Sequence, residues 1–404
     1  MKCRHCKKFL KHTFLDLGFA PPSNAYLELD ELSKPEIYFP LKIRVCDNCW
    51  LVQTEDYIGS KYLFSDKYAY FSSVSSSWLL HAKKYSKKII KDLKLNSKSN
   101  VIEIGSNDGY LLKNFINSGI PCIGIEPTKS TADSAIKSGV KVIRKFFRKK
   151  LALNLSTKGK KADLVIANNV YAHVPDINDF TIGLKTILKK NGTTTLEFPH
   201  ILKLIKHHQF DTIYHEHFSY LSLNSVIRIF SKAKLKVWKV EELSTHGGSI
   251  RVYGCHKNDK RKIHKSVKKL LQKEKHFGLK KLKTYLNFQI KVNKIKDNLT
   301  KFLIEKKNKR QNVVGYGAAA KGNTILNFAG IKSDLLPAIF DAAKSKQRKY
   351  MPGSHIPILN PRYFKNFNPK YILILPWNLS LEISNYIKKN FSKKILIKTL
   401  NNFK

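Results

Sequence analysis

Residues 101–110 read Val101-Ile102-Glu103-Ile104-Gly105-Ser106-Asn107-Asp108-Gly109-Tyr110, and they decide the fold. A short apolar-acidic strand runs into Gly105, a polar turn follows, and Gly109 leads into the helical pattern Tyr110-Leu-Leu-Lys-Asn-Phe-Ile. Glycine suits the turn because the backbone bends sharply there and a ligand approaches without a Cβ in the way. One strand later, Cys122-Ile-Gly-Ile-Glu126 ends in a carboxylate, where nucleotide-binding sheets place an acid to accept both ribose hydroxyls. For the glycine turn alone, an ordinary strand-to-helix connection is the alternative.

Outward from this turn, strand–helix alternation begins at Asn100 and continues through 140–143, 164–167 and 193–198, which predicts a parallel sheet with crossover helices. Upstream lie a helix over roughly 75–94 and an aromatic junction, Tyr68-Ala-Tyr70-Phe71. Downstream, a Lys-rich helical stretch reads as a connector. A second α/β unit follows, with Gly315-Tyr-Gly317-Ala-Ala-Ala-Lys321-Gly-Asn323, then Ala338-Ile-Phe-Asp341, then Tyr371-Ile-Leu-Ile-Leu-Pro-Trp377. The expected divisions are 1–70, 71–256, 257–305 and 306–404.

The 404 residues are 42% hydrophobic and 11% aromatic, which excludes a disordered chain and leaves room for two or three domains. No apolar run approaches the roughly 18 residues of a membrane span, and a cytoplasmic location is expected. The net charge of +46 ordinarily suggests nucleic acid or an anionic surface. Only ten of the 75 basic residues are Arg, and the lysines are spread along helix faces instead of forming one Arg-rich stripe. Compositional drift accounts best for this pattern, and no nucleic-acid partner is expected. A monomer or loose dimer is anticipated.

Cys3-x-x-Cys6 and Cys46-x-x-Cys49 supply the four thiolates of a structural zinc site, with a small lobe between them. Disulfides are the alternative, disfavoured in a reducing compartment. Cys122 and Cys255 read as inert core thiols.

Two further segments carry chemistry. The strand ending in Asn168-Asn169 continues into His173, which either touches substrate or is satisfied at a loop. The stretch Tyr214-His215-Glu216-His217 reads as an extended segment with both histidines on one face. That spacing rejects a helical zinc-protease site and suggests acid/base equipment, with a hydrogen-bonded turn as the bland alternative. The turn at Gly317, with Lys321 and Asn323, offers backbone amides and one ammonium to a pyrophosphate, or is purely structural.

Residues 101–109 resemble motif I of class I methyltransferases, which cradles S-adenosylmethionine. Taken in order, the two Cys pairs, Asn168-Asn-Val-Tyr-Ala-His173, Tyr-His-Glu-His, Ser244-Thr-His246-Gly-Gly-Ser-Ile-Arg251 and the Gly315–Asn323 motif resemble the nucleotide-sugar C-methyltransferases, across essentially the whole chain. The resemblance implies an α/β fold: a class I Rossmann-like domain, a small N-terminal zinc-binding lobe and a second C-terminal Rossmann-like domain. It implies His217 as general base, with Tyr68, His173, Tyr214 and Glu216 around the sugar. It assigns S-adenosylmethionine to Glu103, Gly105, Asn107, Gly109, Glu126, Asn168 and Asn169. The NDP-linked keto-deoxy sugar falls to Tyr70, His246, Arg251, Gly317, Lys321 and Asn323. Tyr171 replaces an expected aliphatic residue and is read as reshaping the pocket near the methyl. Methylation of oxygen, or of another sugar carbon, and a zinc-knuckle nucleic-acid methyltransferase are the competing readings.

Overall fold

Seven strands form the central sheet of the computed structural model, which describes residues 1–59, 63, 71–391 and 394–404. Ahead of it, β1 (His12–Ala20), β2 (Phe39–Val45) and β3 (Val52–Thr54) make an antiparallel sheet. The central sheet comprises β4 (Val101–Ile104), β5 (Cys122–Ile125), β6 (Val142–Ile143), β7 (Ala162–Asn168) and β8 (Leu188–Pro199). After the short β9 (Ser219–Tyr220), it is completed by β10 (Leu235–Leu243) and β11 (Ser249–His256). Its order is β6-β5-β4-β7-β8-β11-β10, with β11 antiparallel to both neighbours and β4 to β8 parallel. This is the class I methyltransferase arrangement. Every residue of β4 is buried, as a parallel strand covered on both faces requires.

The helix Ser76–Leu93 packs its apolar stripe on one face of this sheet, and Ile177–Ile187 packs on the other. Ser75 caps the first helix by accepting from Trp78 N–H, and Asp176 caps the second. Between β4 and β7 the chain leaves in opposite directions. A crevice therefore opens at their carboxyl ends, where open α/β sheets hold ligands.

The C-terminal sheet is wholly parallel: β12 (Val313–Tyr316), β13 (Ile339–Phe340), β14 (Ile358–Leu359), β15 (Tyr371–Ile374) and β16 (Leu396–Thr399), in the order β14-β13-β12-β15-β16. Its own switch point lies between β12 and β15, so the Gly317 turn and Trp377 face one crevice.

Two features depart from the sequence reading. The N-terminal lobe is not self-contained, because β9, which falls between the central strands β8 and β10 in sequence, pairs with β3 through Val52–Tyr220 and Gln53–Ser219. The Lys-rich stretch is also more than a connector. Its helix Phe288–Asn308 stacks Phe288 on Phe14 of β1 at 4.8 Å, and one hydrophobic cluster runs from Phe14 through Ile213 and Val292 to Phe403. The other connector helix, Lys265–Phe277, buries Glu274 against the central domain. That carboxylate accepts from Leu223 N–H at 2.6 Å, Asn224 N–H at 3.0 Å and His200 Nε2 at 2.7 Å. Glu274→Ala strips three buried donors of their acceptor, so it should cost about 3–5 kcal/mol in chemical denaturation.

Candidate functional site

The zinc ligands converge as their spacing predicts. Sγ atoms of Cys3, Cys6, Cys46 and Cys49 lie within 4.8 Å of one another, with Cys3–Cys49 at 3.6 Å and Cys6–Cys46 at 3.5 Å. A tetrahedral set with zinc–sulfur bonds of about 2.3 Å needs sulfurs about 3.8 Å apart, so the donors fit that ion. Gln53 Nε2 donates to Cys3 Sγ at 3.3 Å, an outer contact that stabilises a thiolate. Hydrogen bonds from Cys46 and then Cys49 hold the Cys3 thiol far below its usual range. This cluster pins the ends of the lobe and touches no reacting group, so its metal is structural.

The crevice at the end of β4 suits a charged, polar cofactor. Glu126 accepts from Asn107 N–H at 2.9 Å and from Thr128 N–H at 3.0 Å, which fixes its carboxylate at the end of β5 with lone pairs to spare. Around it, buried Glu103 Oε2, Ser106 Oγ, Asp108 Oδ1, Asn168 Oδ1 and Asn169 Oδ1 lack hydrogen-bond partners among the described residues. Native interiors rarely leave such a cluster unsatisfied, and a polar ligand supplies the partners. Burial, then the charges of Glu126 and Asp108, pushes the Glu103 carboxyl well above its ordinary range.

Gly105 has φ +65°, the left-handed turn that favours glycine, and a Cβ there would also meet Val170 Cγ2 at 2.5 Å, so packing adds a second reason for glycine. The loop after residue 70 is tied to the same turn: Ser72 N–H donates to Asn107 Oδ1 and Ser73 N–H to Asp108 Oδ2. Tyr68 and Tyr70 lie outside the described residues.

Facing this crevice is the acid/base cluster, and its backbone is not a strand. Tyr214-His215-Glu216-His217 forms a turn closed by His217 N–H to Tyr214 C=O at 3.0 Å. Period-2 reasoning fails here because three lobes supply the partners that a neighbouring strand would have supplied. His215 turns toward Phe39 and Pro40, whereas the His217 ring meets Tyr214 at 4.0 Å and His173 at 4.6 Å. His217 Nδ1–H donates to Thr212 C=O at 2.8 Å, and His173 Nδ1–H donates to Glu216 C=O at 2.8 Å. Both bonds fix the tautomer and leave the Nε2 lone pair as the basic site. Burial, then His173, lowers His217 well below 6.5, and burial lowers His173 to about 4. Both imidazoles are therefore neutral near pH 7.

Glu216 is 1% exposed. Its Oε1 accepts from Asn24 Nδ2 at 2.9 Å, its Oε2 has no partner among the described residues, and burial raises its carboxyl. His246, in left-handed backbone at φ 51°, lies tilted against Trp78 at 5.0 Å between ring centres and 3.4 Å from Asn169 Nδ2. From the C-terminal domain, Lys321 Nζ sits over the Trp377 ring at 4.6 Å, with burial lowering it to about 8. Trp377 Nε1 donates to Asp211 at 2.5 Å, joining the two domains.

Four residues singled out in the sequence already have partners within the chain. Arg251 is buried, donating to Glu197 at 2.5 Å beside His81 and stacked on Tyr85 at 4.3 Å, so its charge is already neutralised inside the domain. Tyr171 is fully buried among Phe180, Phe198 and Phe230, with its hydroxyl bonded to Thr181 at 2.6 Å, and shapes no pocket. Asn323 lies fully buried, its Oδ1 accepting from Asn327 Nδ2 while its own Nδ2 has no partner among the described residues. At the second glycine turn, Gly317 N–H donates to Phe340 C=O, and Ala318 N–H to Asp341 Oδ2 at 2.7 Å. Those two amides are thus taken, while the helix Ala320–Phe328 that follows has no side-chain cap at its N-terminus and carries Lys321 as its charged group. Asn24, His81, Glu197, Asp211 and Trp377 escaped the sequence reading. Only Asp211 carried a signal, by sitting in the same polar stretch as His217.

Three family models match the chain: "Putative zinc binding domain" over residues 3–64, "Methyltransferase domain" over 78–240, and "C-methyltransferase C-terminal domain" over 244–395. The C-methyltransferase NovU of Streptomyces niveus is 31% identical over 382 residues, covering 95% of this chain and 91% of that one. Among solved structures, the PH0226 protein of Pyrococcus horikoshii overlaps 49% of this chain and 99% of its own at 13% identity, TM-score 0.38. The magnesium protoporphyrin IX methyltransferase ChlM of Synechocystis, with bound SAH, overlaps 45% and 88% at 14% identity, TM-score 0.36. Sheet order, crevice and the matching family models define an S-adenosylmethionine-dependent methyltransferase with a zinc-binding lobe. The chain belongs to the C-methyltransferase family. Among the described residues, no helix is long and apolar enough to cross a membrane.

Metal analysis of protein purified without added metal should find one zinc per chain, and chelation should destabilise the N-terminal lobe. A stoichiometry near zero refutes the site. Glu126→Ala should weaken S-adenosylmethionine binding by about 1–3 kcal/mol in calorimetry, because a charged acceptor disappears. Unchanged affinity would remove Glu126 from the ribose.

Proposed function

We propose that this enzyme methylates carbon 3 of an NDP-linked 4-keto-6-deoxy sugar. The observation that carries this reading is the buried His217–His173 pair with both Nδ1 atoms committed to carbonyls, next to a Glu216 carboxyl oxygen that lacks a partner among the described residues. Carbon becomes nucleophilic only when a proton beside a carbonyl is removed. A neutral imidazole fits that task, and a carboxyl oxygen fits a sugar hydroxyl.

In this reading His217 Nε2 accepts the proton from carbon 3, and the C–H electron pair moves into the enolate. Burial disfavours an isolated imidazolium. The enolate formed beside it is an anion, so the two new charges compensate. The Tyr214 ring, 4.0 Å from His217, puts a phenol within the cluster to donate toward the keto oxygen. Glu216 holds a sugar hydroxyl, and the Lys321 ammonium neutralises the pyrophosphate. S-adenosylmethionine, held by Glu126 and the Gly105 turn, supplies the electrophilic methyl, and beyond the base the protein's contribution is positioning. The cysteine cluster takes no part in the chemistry.

His217→Asn should retain both ligands and lose roughly 10²–10⁴ in turnover, together with deuterium exchange from solvent into carbon 3. His173 presents the same tautomer, so His173→Asn is the deciding companion. If only it abolishes exchange, His173 is the base. A panel of 4-keto nucleotide sugars with labelled methyl donor tests the substrate class, and absence of transfer to all of them refutes it.

The pH profile follows from the charges. Because burial keeps His217 unprotonated well below pH 6.5, acceptor kcat/KM should stay level as pH falls through 6.5. Lys321, lowered to about 8, loses its charge as pH rises through that value, so kcat/KM should fall above pH 8. Lys321→Arg, which keeps its charge, should abolish that basic limb.

A further inference from the structure

Residues 23–26 leave the N-terminal lobe and cross both ligand-facing domains. Asn24 Nδ2 donates to Glu216 Oε1 at 2.9 Å. Two residues on, Tyr26 OH donates to the Ala318 carbonyl at 2.7 Å, directly after the Gly317 turn. Lys346 Nζ donates to the same carbonyl at 2.8 Å and lies 5.4 Å from the centre of the Tyr26 ring. The segment is then locked to the C-terminal domain by paired bonds between Leu27 and Tyr350, and by Glu36, which accepts from Gly353 N–H and His355 Nε2 at 2.9 Å each. One short segment thus grips the carboxyl next to His217 and the turn that precedes Lys321.

The consequence for Glu216 is specific. A carboxyl rotating freely presents either oxygen, and buried without a donor it takes up a proton. Asn24 engages one oxygen, which fixes the plane of the group and leaves Oε2 as the oxygen with no partner among the described residues. It also favours the ionised form against burial, which raises the carboxyl.

We propose that Asn24 and Tyr26 form a positioning strap for the acceptor, in which Asn24 orients Glu216 toward a sugar hydroxyl and Tyr26 seats the Gly317 turn so that Lys321 meets the phosphates. The inference rests on the reading of Glu216 and Lys321 as acceptor contacts given above. Asn24 and Tyr26 bond Glu216 and Ala318 and none of Glu103, Asn107 and Glu126, so the strap acts on the acceptor and not on S-adenosylmethionine.

The test uses the full-length zinc-loaded enzyme. Asn24→Ala should raise acceptor KM or lower kcat roughly 10- to 100-fold, the worth of one buried hydrogen bond to a charged group, with S-adenosylmethionine affinity unchanged. It should also move the acidic limb of kcat/KM to higher pH, because loss of the Asn24 donor raises Glu216. The other titratable groups set against Glu216 are Tyr26, Tyr220 and His173, and none gains a proton in place of that carboxyl near neutrality. Tyr26→Phe removes one hydroxyl and should raise acceptor KM with little change in kcat, which keeps the inference testable if Asn24→Ala fails to fold. Glu216→Gln separates the two readings. If that variant turns over like the wild type, Glu216 is no acceptor contact and the proposed function loses it. If it is impaired while Asn24→Ala and Tyr26→Phe keep wild-type KM, kcat and pH limb, the strap inference is overturned.

Discussion

Everything in the candidate site depends on the bonds that other lobes make to the buried residues 210–220, which still leave Asp211 Oδ1, His215 Nδ1, Glu216 Oε2, Ser219 Oγ and the Tyr220 hydroxyl without partners among the described residues. The segment has too little regular structure to satisfy itself, and a buried unpaired group costs about 1–3 kcal/mol. Each lobe contributes. Tyr220 pairs with Val52 of β3, and Thr54 Oγ1 donates to the His217 carbonyl at 2.6 Å. From the C-terminal domain, Thr324 Oγ1 donates to the Ile213 carbonyl at 2.8 Å, and Trp377 reaches Asp211. Asn24 completes the set at Glu216. The catalytic candidates are rigid because three separately encoded pieces of chain agree on where they sit.

The same constraint explains the electrostatics. Desolvation is the first cause for His217, His173, His246, Glu216, Asp211 and Lys321, and it drives each toward its neutral form. A dry site strengthens whatever charge does develop beside it, which suits a reaction that creates an enolate. Glu197 behaves in the opposite way. Although buried, it is held down to about 2 by His81 and Arg251, the mark of a structural ion pair. That contrast separates Arg251, paired with Glu197, from Lys321, whose charge is favoured among the described residues by Asp211.

The zinc lobe acquires a purpose within this arrangement. Its sheet is short, and its cysteine cluster closes both ends of the chain that carries residues 23–38 across to the C-terminal domain. A metal that touches no reactant still governs the site by fixing the origin of that crossing.

The sequence by itself determined the local chemistry. The strand–glycine–helix unit at 101–116, the acid at 126, the paired cysteines and the concentration of ionisable groups at 214–217 depend on contiguous residues and short spacings, so they could be read directly. Tertiary structure decided the rest. The turn at Tyr214-His-Glu-His followed from partners on β3 and the C-terminal helix Ala320–Phe328, and no period along the chain encodes them. The same holds for Asn24 on Glu216, 192 residues away, and Trp377 on Asp211, 166 away. Gly105 shows the difference at a single residue: its sharp turn was legible, but the Val170 methyl that also fills the Cβ position lies on another strand's loop. Burial and hydrogen-bond satisfaction are properties of the assembled interior, and only the fold brings those residues together.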